Sequence, residues 1–311
     1  MESPTVSDQS QPLPSWNEGG AKSAILDFVT RVTKQGGADF VPPAERIATF
    51  DNDGTICCEQ PLQTQFFFLF DRVKELSANN PTLGERQPFK AVLEHDYNTL
   101  FGLGKQALFE LVFATHAGIT DEDFHQIARG WLATARHPKF GRLFKECVYR
   151  PQLELLEYLR ENGFKTYIVS ASGIDFMRAF ADEVYGVPRE QVIGSSAKLR
   201  YDVTGSRVSL TKLAELNSFD DREAKPLNIG LHIGRRPVLV FGNSDGDLPM
   251  MRYAKSGRGP RLALLLHHDD AEREAAYDRE FRLSPLAEAL DKAEDYGLTL
   301  VSMKRDWRAV F

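Results

Sequence analysis

The sequence has only three cysteines, no surplus of basic residues and no apolar run long enough to cross a bilayer. Each shortage removes a class of protein. Two of the three cysteines, Cys57 and Cys58, are adjacent, which makes a poor disulfide framework; they read as reduced thiols serving as small apolar residues. With 38 Lys and Arg against 44 Asp and Glu, the formal charge is −6. That balance argues against a dedicated binder of nucleic acid or of anionic membrane, either of which needs clustered cations. The apolar patch at residues 66–70 falls far short of the roughly 20 residues that a membrane helix requires. Residues 1–16 are polar and rich in Pro and Ser, without the basic start and apolar stretch of a secretory signal. The expectation is a soluble, cytoplasmic chain with a disordered tail over residues 1–18; export of a longer precursor stays open.

What is present is ordinary globular composition. Of 311 residues, 42% are apolar and 26% charged, enough for one large domain or two modest ones with a real core. Ala24, Ile25, Phe28, Val29 and Val32 recur at helical spacing before Gly36-Gly37. Ile47-Ala48-Thr49-Phe50 reads as a short buried strand running into Asp51-Asn52-Asp53-Gly54. Residues 61–145 carry mostly helical signals, among them a helix opened by Thr120. After Pro151 the pattern alternates. A helix through Leu159 precedes the strand Thr166-Tyr167-Ile168-Val169, and a helix is expected over residues 173–183. Val192-Ile193 reads as a short strand and residues 197–210 as a hairpin. Val238-Leu239-Val240-Phe241 and residues 261–266 are further buried strands, and His267-His268-Asp269-Asp270 is expected to start a helix rather than hold a metal. This alternation predicts an α/β fold, a Rossmann-like parallel sheet covered on both faces.

In such a sheet, ligands bind beyond the carboxyl ends of the strands. Three strand ends here carry polar residues: Asp51 and Asp53, Ser170, and Asn243-Ser244-Asp245-Gly246-Asp247. Two carboxylates one residue apart on a turning loop can reach the same small volume. One can attack phosphorus while the other handles the proton of the leaving group. The competing readings are structural: a solvated acidic turn at Asp51, and helix N-caps at Ser170 and Asp247.

Taken together, Phe50-Asp51-Asn52-Asp53-Gly54-Thr55 resembles the first motif of the haloacid dehalogenase superfamily, DxDGT after a buried strand. Tyr167-Ile168-Val169-Ser170 resembles its second motif. Lys225 stands where the family keeps its lysine, with Lys212 as the rival, and Phe241-Gly242-Asn243-Ser244-Asp245-Gly246-Asp247 resembles its fourth. The similarity spans residues 47–266, and an insertion between the first two motifs is similar to the phosphoserine-phosphatase-like branch with its helical C1-type cap. The resemblance implies an α/β core of residues 19–57 and 149–311 with a cap over 58–148.

It also implies roles: Asp51 as nucleophile and Mg²⁺ ligand, and Asp53 as acid and base with its carbonyl on the metal. Ser170, with Ala171, would bind the phosphoryl oxygens, Lys225 would neutralise charge, and Asn243 and Asp247 would complete the metal shell. Glu59, just past the loop, is a candidate for substrate binding, as His95, His116, Arg129 and His137 of the insertion are for lining the pocket. The family usually has Asp where this chain has Asn243, which implies weaker metal binding, with Asp245 as a compensating carboxylate. The expected activity is Mg²⁺-dependent hydrolysis of a small phosphorylated metabolite through aspartyl phosphate. A phosphotransferase, a dehalogenase or a non-catalytic phospho-ligand binder are the alternatives.

Overall fold

The computed structural model describes residues 12–311. The chain forms two compact units. The first comprises residues 12–49, Val148–Thr166 and Arg235–Phe311, and the second Phe50–Cys147 and Tyr167–Gly234. Eight strands are present among the described residues: β1 (Ile47–Phe50), β2 (Lys165–Gly173), β3 (Val192–Thr204), β4 (Arg207–Ser218), β5 (Leu239–Gly242), β6 (Leu262–Asp269), β7 (Ala276–Tyr277) and β8 (Thr299–Ser302).

In the first unit the sheet runs from the start of β2 through β1, β5 and β6 to β7, with β8 also on β6. Lys165 N–H donates to Arg46 O, and Val238 N–H to Ile47 O, both at 2.8 Å. β5 and β8 pair with β6 in parallel, and β7 pairs with it antiparallel. All four residues of β1 and of β5 are buried, the signature of strands covered on both faces. Helix Gly20–Thr33 buries Ile25, Phe28, Val29 and Val32, the i, i+3, i+4, i+7 stripe. Helix Arg150–Glu161, with Pro151 in its first turn where no N–H is required, buries Leu155, Leu156 and Leu159.

The expected disordered tail is corrected over residues 12–18; the rest of it lies outside the described residues. Trp16 is fully buried edge-on against Trp307, and its indole N–H donates to Pro151 O at 2.9 Å. Ser15 donates its N–H and its hydroxyl to the two oxygens of Glu154. A polar stretch with one large aromatic looks like a tail, yet that single ring anchors it. The expected helix at His267 is also corrected. β6 continues to Asp269, and Asp270 then accepts the N–H groups of Glu272 and Arg273 in a tight turn.

In the second unit β2 pairs in parallel with β3 (Ile168↔Val192, Val169↔Ile193, Ser170↔Gly194). β3 then continues outward to pair antiparallel with β4, turning at Gly205-Ser206 with Gly205 at φ 62°. The expected short strand and separate hairpin are therefore one long strand and its partner. The expected helix over 173–183 is two pieces, Ile174–Arg178 and Ala181–Tyr185, because Phe180 leaves helical geometry at φ −137°.

The insertion supplies helices Thr64–Asn79, Lys105–His116 and Asp121–Leu132. Thr120 caps the last of these by accepting Asp123 N–H at 3.1 Å, with three acidic residues in the first turn. Phe68 packs against Phe124, Trp131 and Phe176. The second unit reaches beyond the expected cap to include residues 167–234. Lys212 of β4 exchanges backbone bonds with Gly118 and Ile119, and its buried ammonium pairs with Asp121 and Asp175. No helix among the described residues is long and apolar enough to cross a membrane.

The insertion also buries His116. Its ring packs tilted against Phe124, with centroids 4.4 Å apart, and its Nδ1 lies 2.8 Å from the Thr115 hydroxyl. Burial, reinforced by the Lys212 cation, lowers its pKa to about 3. The unfolded chain binds that proton near pH 6.5 and the folded chain refuses it, so this contribution to stability is lost as pH falls from about 6.5 toward 3. From pH 7 to pH 5 the loss is about 2 kcal/mol. Denaturant unfolding of wild type and His116→Phe at both pH values is expected to show a shallower pH dependence in the variant; equal slopes would remove the assignment.

Candidate active site

The loop after β1 is built by its own backbone. Asn52 O accepts three N–H groups, from Thr55, Ile56 and Cys57, while Gly54 N–H donates to Cys57 O at 2.8 Å. That reversal needs φ 77° at Gly54, a region a glycine enters without strain. Tyr185 hydroxyl fixes the Asn52 side chain at 2.9 Å. Asp51 and Asp53 therefore leave a rigid, buried turn rather than a solvated one.

Lys225, on helix Ala224–His232, reaches Asp51 Oδ1 at 2.7 Å and also donates to Val169 O at 3.0 Å. Its rival Lys212 is committed to Asp121 and Asp175. Asp53 receives the Ser172 hydroxyl at 2.6 Å on Oδ2. Burial pushes the Asp53 carboxyl above the usual range, opposed by hydrogen bonds from Ser172 and Asn52 and by the charge on Lys225. Ser170, the last residue before the β2–β3 register shifts, is buried, and its hydroxyl oxygen accepts Ser172 N–H at 3.2 Å; the N-cap position of the following helix falls to Gly173 instead. Ala171 O accepts the Ser195 hydroxyl at 2.6 Å. Glu59 is fully buried and accepts the Gln63 amide at 3.1 Å.

Other side chains of the second unit join this neighbourhood without a sequence signal that singles them out. Ser172 is one. Gln65, in the first turn of helix Thr64–Asn79, accepts Gly173 N–H at 2.7 Å and so brings the insertion to the end of β2. Asp220 is a buried carboxyl held up by burial, with Oδ1 on the Asn228 amide at 2.8 Å. A lone Ser, Gln or Asp in a polar segment carries no periodicity, and only the folded chain gives it a partner.

In the first unit, the loop after β5 folds around Asp247. Its Oδ2 accepts the N–H groups of Asn243 at 2.9 Å and Ser244 at 3.1 Å, and the Ser244 hydroxyl at 3.3 Å. Gly242 permits this closeness, since a Cβ there would lie 2.5 Å from the Cβ of Asp247. Asp245 is not a spare ligand; its two oxygens accept the backbone N–H groups of Ala287, Glu288 and Ala289. The candidate pocket residues of the insertion have structural partners too. His137 Nε2 lies 2.8 Å from Gln60 O, Arg129 pairs with Glu183 at 3.0 Å, and His95 meets the Tyr97 hydroxyl at 3.2 Å.

The oxygens on the Asp51 loop are hard donors. The nearby Cys57 thiol is pushed well up by burial and by Asp53, and it lies 3.6 Å from Asn52 O, which it reaches as a donor. A neutral thiol and no imidazole on this loop fit a hard divalent cation of the Mg²⁺ kind better than zinc. His268 lies 3.3 Å from Glu274, while Asp269 accepts Lys304 N–H at 2.8 Å, so adjacent ligand types in residues 267–270 point to separate partners.

Comparison with solved structures finds similar proteins at low identity, of which those with TM-scores above 0.5 share this fold. A conserved, functionally unknown protein from Anaerococcus prevotii DSM 20548 is similar with a TM-score of 0.55 and 18% identity, covering 80% of this chain and 86% of that one. A protein of unknown function from Bordetella pertussis Tohama I follows with 0.54 and 13%, covering 83% and 98%. A phosphoserine phosphohydrolase-like protein from Francisella tularensis subsp. tularensis SCHU S4 gives 0.41 and 17%, covering 80% and 98%. No curated protein matches the chain. The model of the haloacid dehalogenase-like hydrolase family matches residues 48–252, from the strand before Asp51 to the helix after Asp247, and the chain belongs to that family.

Proposed function

We propose that the chain is a phosphatase that hydrolyses a small phosphomonoester through a phosphoryl-aspartate on Asp51. The observation that carries this reading is the buried contact of Lys225 Nζ with Asp51 Oδ1 at 2.7 Å, with Asp53 two residues along the same turn. Asp51 is a carboxylate held by a fixed cation, which also lowers the repulsion met by an incoming phosphate dianion. Its oxygen attacks phosphorus, the phosphorus–ester oxygen bond breaks, and Asp53 delivers the proton to the departing oxygen. In the second half, Asp53 takes a proton from water as the water oxygen attacks the phosphoryl group, which regenerates Asp51 and releases phosphate. Ser170 donates to a phosphoryl oxygen. A dehalogenase has no use for an acid at Asp53, because halide leaves unprotonated. Mg²⁺ would be held by Asp51 and the backbone carbonyl of Asp53, with Asn243 and Asp247 assigned as further ligands by the motif resemblance; when bound it supplies charge neutralisation of the phosphoryl oxygens.

Hydrolysis of p-nitrophenyl phosphate with Mg²⁺ and with EDTA tests the reading. Metal-dependent phosphate release is the expected result. No release with any divalent cation, together with none from a panel of phosphometabolites, would sink it. Product analysis with an added alcohol separates hydrolysis from transfer.

Ser172 gives a finer prediction. Its hydroxyl holds one oxygen of Asp53 and so aims the other. In Ser172→Ala, kcat/KM for an alkyl phosphate, whose leaving group needs the proton, is expected to fall about tenfold. For p-nitrophenyl phosphate, whose leaving group does not, it is expected to fall less. Equal losses on both substrates would show that Ser172 does not orient the acid.

A further inference from the structure

Nine large apolar side chains stand exposed among the described residues, and all but Leu103 fall between residues 199 and 231. Five of them share one face of the β3–β4 hairpin. Leu199, Tyr201 and Val203 alternate along β3, and the register sets Leu210 opposite Tyr201 and Val208 opposite Val203. Their exposures are 48%, 66%, 59%, 42% and 53% respectively. The other face is polar, with Arg200 paired to Asp202 at 2.7 Å and Ser209 opposite Asp202. The ribbon is thus amphipathic. Its base is seated by Lys212 on the insertion, while its outer half presents the apolar face to solvent. A two-stranded ribbon with no cover on its apolar face is marginal in water.

We propose that this face is the contact between two copies of the chain, packed hairpin to hairpin about a twofold axis. Three features favour a second copy over another occupant. The five side chains carry no charge, so the face offers nothing to a nucleic acid, an acidic peptide or an anionic membrane. An isologous contact requires a patch that matches itself, and an uncharged stripe of two Leu, two Val and one Tyr does so without any partner-specific feature. The area also suffices. At the exposures above, the stripe leaves roughly 500 Å² of exposed surface per copy, so two copies that cover it fully reach the floor of about 1,000 Å² for a biological interface before the flanking residues are counted.

The test uses the full chain. Sedimentation velocity and light scattering over a range of concentration are expected to give twice the 35.0 kDa chain mass for wild type. Tyr201→Lys and Val208→Lys are each expected to weaken the dimer at least tenfold, and the double variant to give the monomer mass. Both positions lie outside the proposed catalytic groups, so phosphatase turnover per chain serves as a control for folding. A second readout covers the case in which the lysine variants misfold. Val203→Cys is expected to cross-link to its own copy under mild oxidation, against a low background, because Cys57, Cys58 and Cys147 are all buried. A wild type that stays monomeric at every concentration overturns the proposal. So does a dimer that survives both lysine substitutions, or a Val203→Cys chain that does not cross-link.

Discussion

Asp51→Asn is expected to lower turnover at least about 10⁴-fold while leaving the fold in place, the scale seen when a covalent nucleophile is removed. The amide is the same size and still offers an oxygen to Lys225 Nζ, so the 2.7 Å contact can persist. What disappears is the anionic oxygen that attacks phosphorus, and no other carboxylate on the turn replaces it, because Asp53 is tied to Ser172. Circular dichroism and the thermal midpoint report the fold, and trapping of labelled phosphate on the protein reports the intermediate. Wild type should be labelled on the peptide containing Asp51, and the variant should not. A variant that keeps even a hundredth of the wild-type rate would transfer the nucleophile to another group.

Lys225→Met is expected to act on rate and on stability together. Removing a fixed cation that faces a developing phosphoryl charge costs about 10²–10³ in kcat. The same change leaves the buried Asp51 carboxylate without its 2.7 Å partner, and removing one member of a buried pair costs about 3–5 kcal/mol. Val169 O, which also accepts from Nζ, loses a donor in the same event. The combination is diagnostic. A Lys225→Met that loses turnover but unfolds at the wild-type denaturant concentration would mean that Asp51 is neutralised from elsewhere. The double variant Asp51→Asn, Lys225→Met is expected to recover much of the lost stability and none of the activity, since it removes both charges at once.

The strands that run into the two polar loops were legible because burial on both faces writes itself into sequence as short apolar runs. Ile47-Ala48-Thr49-Phe50 and Val238-Leu239-Val240-Phe241 each match the observed strand to within a residue. The turn after β1 was legible because an Asp-rich stretch with a glycine follows such a run. Other parts left weaker marks. β8 is four residues, Thr299–Ser302, too few to show a period, and it exists because Leu264 to His267 offer it a parallel edge. The extent of β3 was hidden because its inner end is buried beside β2 and its outer end is exposed beside β4, so no single alternation runs through it. Over 173–183, helix propensity says nothing of the break at Phe180, which packs against Phe176 and Tyr185. At the candidate site, the resemblance to a family pattern pointed to Lys225 as the cation beside Asp51, and the structure brings the two together. Ser172 and Gln65 find their partners more than a hundred residues away, and a single sequence holds no record of those distances.

The two ends of the helical insertion meet. Cys58 N–H donates to Cys147 O at 2.9 Å, so nearly ninety residues leave the chain and return to it across one hydrogen bond. The host has only this one-bond gap to close, and each doubling of the inserted length adds only about 0.6 kcal/mol to the closure cost. The turn that carries Asp51 and Asp53 is closed by its own bonds to Asn52 O, before the insertion begins. Exchange of the insertion by recombination therefore leaves the reactive turn intact. What it alters is the packing of Phe68 on Phe176 and the hold of Lys212 on Asp121. On the proposed function, replacing that cassette would change specificity and leave the chemistry of the turn in place.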